Sequence, residues 1–173
     1  MVAKIVTMDM SRWATSLVQL RERFVPAVKR GLKRGGLASI PILHRATELA
    51  PAANPGGTGI GAFNYGIYKR AWKTYSLPDS QVIINDTPYA GIIESGRRPG
   101  LAPPRVQIAR WAQRKFNLSE ADALRAAFAI ARAIAARGLI ARRVMTNSLP
   151  AIMAAVNNAI DAELLRELAR GTR

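Results

Sequence analysis

Apolar and small side chains recur at Trp13, Leu17, Leu20, Phe24, Ala27 and Gly31 in alternating steps of four and three, which predicts one stripe of an amphipathic helix. Asp9 or Ser11 is suited to cap its start, and Arg30, Lys33 and Arg34 complement the negative pole at its end. Gly35-Gly36 predicts the stop and Pro26 a kink. The stripe is shorter than the three to four heptads of a coiled coil, so packing on a domain core is the expected role. A shorter helical piece is expected over 37–49, with Pro41 near its beginning, where a missing amide donor costs little.

Regular periodicity then ceases. Residues 50–64 form a Pro/Gly-rich, uncharged stretch, including Pro51, Pro55-Gly56-Gly57, Thr58-Gly59 and Gly61, and are expected to be a flexible loop within one domain. Residues 65–77 alternate loosely and 81–85 are β-branched, so they predict paired strands turned by Leu77-Pro78-Asp79-Ser80. A third strand is expected over 90–94, and Arg97-Arg98-Pro99-Gly100 ends the sheet. Three helices follow. The first opens after Pro103-Pro104, with Ile108, Trp111, Ala112 and Phe116 on one face; the second runs from a capping box at Ser119–Asp122 to Gly138; the third starts near Ser148-Leu149-Pro150 and carries Ile152, Val156, Ile160, Leu164 and Leu168 as an apolar ridge. The expected fold is therefore α+β: a small antiparallel sheet of about three strands packed with a long N-terminal helix and C-terminal helices, all in a single domain over 1–173.

At 173 residues and 49% hydrophobic, the chain can bury roughly 70% of the surface its unfolded form exposes. Without cysteine it has no disulfide and no thiolate metal site. The opening decapeptide lacks the apolar run of a signal peptide. The apolar stretch 121–141 is broken by Arg125, Arg132 and Arg137, which argues against a membrane partner.

Net charge is +15 and unevenly placed. Residues 1–36 hold eight basic and two acidic side chains, residues 101–146 nine and two, and residues 147–173 three of each. Basic faces opposite a polyanion, with a neutral terminal helix for packing or a partner, are the expected consequence. The candidate DNA-facing residues are Arg30, Lys33, Arg34, Arg110, Arg114 and Lys115, making sequence-independent contact with phosphates. Trp13, Trp111 and Phe116 lie on apolar stripes and are read as core, not as stacking platforms.

Candidate chemistry is sparse. His44, the single histidine, sits among apolar neighbours without an evident partner. Gly57-x-Gly59-x-Gly61 lacks the preceding strand and the Lys-Ser/Thr of a phosphate loop. Asp79, Asp86 and Glu94 surround the strands, but no catalytic lysine follows Glu94. No catalytic residue, metal site or cofactor is assigned, and the chain is not expected to be an enzyme.

The segment 85–96 carries the most information: a β-branched strand runs into Asn85-x-Thr87-Pro88-Tyr89-Ala90, followed by Glu94 and Gly96. Pro88 ends ladder donation and Gly96 permits positive φ. This "N-x-x-PYA-x-x-x-E-x-G" pattern, with Pro51, Thr58-Gly59 and Tyr68-Lys69-Arg70-Ala71-Trp72 before it and Gly138-Leu139-Ile140 after it, resembles siphophage tail-completion and head-tail connector proteins of the minor tail protein Z type. The resemblance spans 49–145; the family's R-P-F ending is here Arg142-Arg143-Val144-Met145. It implies a non-enzymatic virion component at the head-tail junction, made in the host cytoplasm and forming or joining a ring. Its partners would be other phage neck and tail proteins, with non-specific contact to packaged DNA. Pro88, Tyr89, Ala90, Glu94 and Gly96 would form the assembly motif, with Glu94 pairing with Arg97 or Arg98. Pro51, Thr58 and Gly59 would belong to a partner-binding loop. A free, sequence-independent nucleic-acid-binding protein is the alternative function.

Overall fold

The structure is a computed structural model that describes residues 11–51 and 66–171. Two long helices dominate: α1 (Ser11–Leu49) and α6 (Val144–Gly171). Between them lie α2 (Ile67–Arg70), β1 (Trp72–Ser76), β2 (Gln81–Asn85), α3 (Ala90–Ser95), α4 (Arg105–Phe116) and α5 (Glu120–Arg137). The architecture is α+β in the broad sense, mostly helical, with one antiparallel two-stranded sheet.

The opening helix does not stop at Gly35-Gly36; α1 runs unbroken through both glycines and through Pro26 and Pro41. The two prolines are exposed, so water can satisfy the carbonyls that their missing amides leave free. The glycines are retained because bulk is excluded there. A Cβ on Gly31 would lie 2.5 Å from Ile160 Cα, and one on Gly35 would lie 2.6 Å from Val156 Cα. A Cβ on Gly36 would lie 2.5 Å from Gln81 Cγ, so the tandem glycines face two elements at once, α6 and β2. Ala27, Gly31, Gly35, Ser39, Leu43 and Thr47, four apart throughout, are all buried along this ridge. The helices run antiparallel, since Arg23 reaches Glu167 while Gly35 meets Val156. Buried hydroxyls close on their own helix: Ser39 donates to the Gly35 carbonyl at 2.8 Å and Thr47 to the Leu43 carbonyl at 2.7 Å.

Leu43, Ala50, Tyr68, Trp72, Val144 and Ile152 form the principal core, at the C-terminal half of α1 and the start of α6. Trp72 anchors the sheet there, its indole N–H donating to Thr47 Oγ1 at 3.2 Å. The strands pair from Trp72↔Asn85 to Ser76↔Gln81, and Leu77 N–H to the Ser80 carbonyl at 2.9 Å closes the turn. Two further expectations are corrected. The Tyr68-Lys69-Arg70 stretch is a helical turn that leads into β1, and 90–94 is helix, not a third strand. Pro88 cannot donate to a ladder, and the turn after it already points Ala90 N–H at the Thr87 carbonyl, 3.0 Å away, which starts helical bonding.

Helices α4 and α5 form a separate antiparallel arm cored by Ala109, Ala123 and Ala127. Ser119 caps α5, accepting from Asp122 N–H at 3.2 Å, and Gly138 ends it, both as the sequence predicts. The last helix begins at Val144 and not near Ser148, taking the exposed Pro150 into its second turn.

Candidate functional site

The sequence block 85–96 folds into a corner that fastens three segments of chain. Asn85 makes the first fastening: its Nδ2 donates to the Tyr68 carbonyl at 2.7 Å, and its Oδ1 accepts from Thr87 N–H at 3.2 Å and Thr87 Oγ1 at 2.8 Å. That side-chain turn bends the chain out of β2. Pro88 lies exposed at the bend, while Tyr89 and Ala90 pack on the principal core. Tyr68 sits edge-on to Trp72 at 5.6 Å and near Tyr89 at 6.3 Å, making an aromatic wall.

Glu94 makes the second fastening, and it pairs with neither Arg97 nor Arg98. Its carboxylate accepts from Met145 N–H at 2.9 Å, Thr146 N–H at 2.9 Å and Thr146 Oγ1 at 2.6 Å. It therefore caps α6 from a distant segment, satisfying orphan amides and meeting the positive pole of the helix. This cap supports the start of α6 at Val144. Burial pushes the Glu94 carboxyl up, but the bonds from Thr146 and Met145 outweigh it and hold the group below its ordinary value. Arg97 instead donates to the Leu101 carbonyl.

Gly96 and Gly138 make the third. Arg97 and Leu139 exchange backbone hydrogen bonds at 2.9 and 2.8 Å, an isolated antiparallel bridge. Gly96 has φ +73° and Gly138 φ +72°, and a Cβ on Gly96 would lie 2.6 Å from the Leu139 carbonyl. Gly100 N–H donating to the Ala135 carbonyl at 2.8 Å completes the stem from which the arm projects. Arg142 N–H donates to the Ile93 carbonyl at 2.8 Å, tying α3 to the same return segment.

An open cleft of about 200 Å³ lies against this corner, bounded by Tyr68, Trp72, Ile83, Ala90, Glu94 and Met145. Burial pushes the Tyr68 hydroxyl up to about 12, with the Glu94 charge acting in the same direction and Arg142 opposing. The Tyr89 hydroxyl is buried without a hydrogen-bond partner among the described residues, and burial pushes it up as well. A mostly apolar cleft whose one carboxylate is already occupied can hold an apolar side chain.

The carboxylates that surround the strands do not converge. Asp79 meets Lys29 at 3.0 Å, Asp86 meets Lys73, and Glu94 caps α6. Among the described residues no group of three or more His, Asp or Glu side chains is placed to hold a metal. His44 is half-buried on α1.

The candidate DNA-facing residues divide. Arg30 pairs with Glu163 at 3.0 Å and Glu167 at 3.1 Å, and Arg34 pairs with Glu163, so both are committed to α6. Lys33, Arg110, Arg114 and Lys115 are exposed. Of the expected loop residues, Pro51 is exposed, and Thr58 and Gly59 lie outside the described residues, as does the side chain of Trp13. Sequence reasoning placed Gly31 on the packing stripe without its close contact to α6, read Gly35 as a stop, and missed Glu163 and the Thr146 terminus. The repeat of small residues at 27, 31, 35 and 39 was a usable signal for the first two; nothing in sequence spacing links Glu94 to residues some fifty positions on.

No family model, curated protein or solved structure matches the chain.

Proposed function

We propose that the protein is a structural, non-catalytic component of a phage virion at the head-tail junction, a tail-completion or neck protein that forms or joins a ring between portal-side proteins and the tail tube. The observation that carries this reading is the use of the 85–96 block. Asn85, Glu94 and Gly96 act on backbone, holding the sheet corner, the start of α6 and the stem of the arm in one rigid junction. Such a use of polar side chains on backbone groups suits a block that fixes shape. A long helix pair with a projecting arm also offers separate faces to successive neighbours, which ring subunits require.

Mass spectrometry of density-purified particles from the source tests the reading. Presence at a fixed, low, ring-like copy number is expected, and loss of the gene should leave filled heads and tails that fail to join. Complete infectious particles without this chain would overturn it.

A further inference from the structure

The charge imbalance visible along the sequence is redistributed by folding. In the helix pair two carboxylates of α6 engage two arginines of α1 and two of their own helix: Glu163 receives Arg30, Arg34 and Arg166, and Glu167 receives Arg30 and Arg170. The arm is different. Over 105–137 it holds seven basic and two acidic side chains, and its described ion pair is Asp122 with Arg125 at 2.5 Å. Arg110, Lys115, Arg132 and Arg137 are exposed, with no carboxylate within ion-pair distance among the described residues.

The outward side of α5 has a further property. Ala123, Ala127 and Ala131 are buried against the arm's interior, so the helical period turns Ala129, Arg132, Ala133 and Ala136 outward. With Phe128 and Arg137 they form a shallow, open surface made by α5 alone. Alanine methyls form its floor and arginines its edges. A polyanionic backbone can approach the helix closely there while two guanidiniums reach its oxygens, since planar guanidinium forks suit phosphate. The same face of a second copy is a poor occupant, because each arm carries seven basic and two acidic side chains and like faces repel.

We propose that the outer face of α5, with Arg132 and Arg137 as the principal contacts and Arg110 and Lys115 on α4 as support, binds the phosphate backbone of duplex DNA without regard to sequence. This places the DNA contact on the arm and removes it from Arg30 and Arg34. It deepens the junction reading, which supplies the source of the DNA, yet the binding is measured on the free protein, so either can fail alone.

The experiment measures anisotropy of a labelled 20-base-pair duplex of arbitrary sequence against the full chain between 50 and 200 mM salt. Four phosphate contacts predict a log-log salt slope of about −3.6. R132Q/R137Q should make the slope shallower by about 2 units and weaken binding at least about tenfold at 50 mM salt, while R21Q/R45Q, which removes the same charge from exposed positions on α1, should change it less than about twofold. Glutamine keeps helix propensity, and circular dichroism confirms that both variants fold. Equal losses in the two variants, or no binding at 50 mM salt, would overturn the proposal. Displacement by poly-glutamate as efficient as by unlabelled duplex would assign the face to an acidic protein and overturn it equally.

Discussion

The α1–α6 pair and the α4–α5 arm are both antiparallel helix pairs built on small residues, and they end in opposite states. In the first, Gly31 and Gly35 let backbones touch, and the flanking charges turn toward each other across the pair. In the second, alanines form the seam, the apolar core is thin, and Leu124 and Phe128 remain about half exposed beside arginines. Close packing by glycine thus accompanies electrostatic closure, whereas packing by alanine leaves a surface available for something else. The arm is joined to the rest chiefly through the Arg97–Leu139 bridge, so the two regions should differ in cooperativity as well as in charge.

The largest expected effect breaks the glycine contact. Gly31→Ala improves intrinsic helix propensity by about 1 kcal/mol, yet its Cβ would meet the Ile160 backbone, which cannot give way as a side-chain end can. The two effects have opposite signs, and the overlap should win by a net loss of about 2–3 kcal/mol in denaturant midpoint analysis. A neutral or stabilising result would show that the helices do not approach as described.

Next in size is the cap that fastens α3 to the start of α6. Glu94→Ala removes three hydrogen bonds to the start of α6 and should cost about 2 kcal/mol, read from urea unfolding followed by circular dichroism. The same group sets a pH dependence. Its folded value is depressed, so its stabilisation is complete above the unfolded carboxyl value of 4.5 and is lost as pH falls through the folded value. Wild-type stability should therefore decline below pH 4.5 through this group, and the Glu94→Ala variant should decline less steeply. Tyr68 acts at the other end. Its value raised to about 12 means that stability present below pH 10 is lost as pH rises toward 12, with tyrosinate absorbance as the monitor.

Ala127→Leu sharpens the comparison from the side of the arm. Ala127 is fully buried between α4 and α5, so a larger side chain should destabilise by about 1–2 kcal/mol. Because the arm is attached through its stem, faster amide exchange should be confined to α4 and α5 while α1 and α6 keep their protection. Uniform loss of protection would show that the two regions unfold together. The smallest effect is expected for Tyr89→Phe. Removing a buried hydroxyl that lacks a partner should leave thermal stability unchanged or raise it by up to about 1 kcal/mol, since the ring and not the oxygen packs against Tyr68.

Local physics made much of this protein legible in its sequence. The amphipathic opening, the turn at 77–80, the serine cap at Ser119, the glycine end at Gly138 and the apolar ridge of the last helix each depend on neighbours within a few residues. Misreadings arose where a distant partner decided. Gly35-Gly36 resembles a helix stop until α6 and β2 press against it, and 90–94 resembles a strand until the Pro88 turn starts a helix. The helix start at Val144 is supported by Glu94, which arrives from another segment to satisfy its amides. By itself the sequence determined the longer helices in outline, the excess of positive charge and the absence of cysteine chemistry, because composition and short-range periodicity are properties of the chain alone. Only the tertiary structure decided which arginines are paired and which remain open, because an ion pair depends on distance in space, and more than a hundred residues separate Arg30 from Glu163.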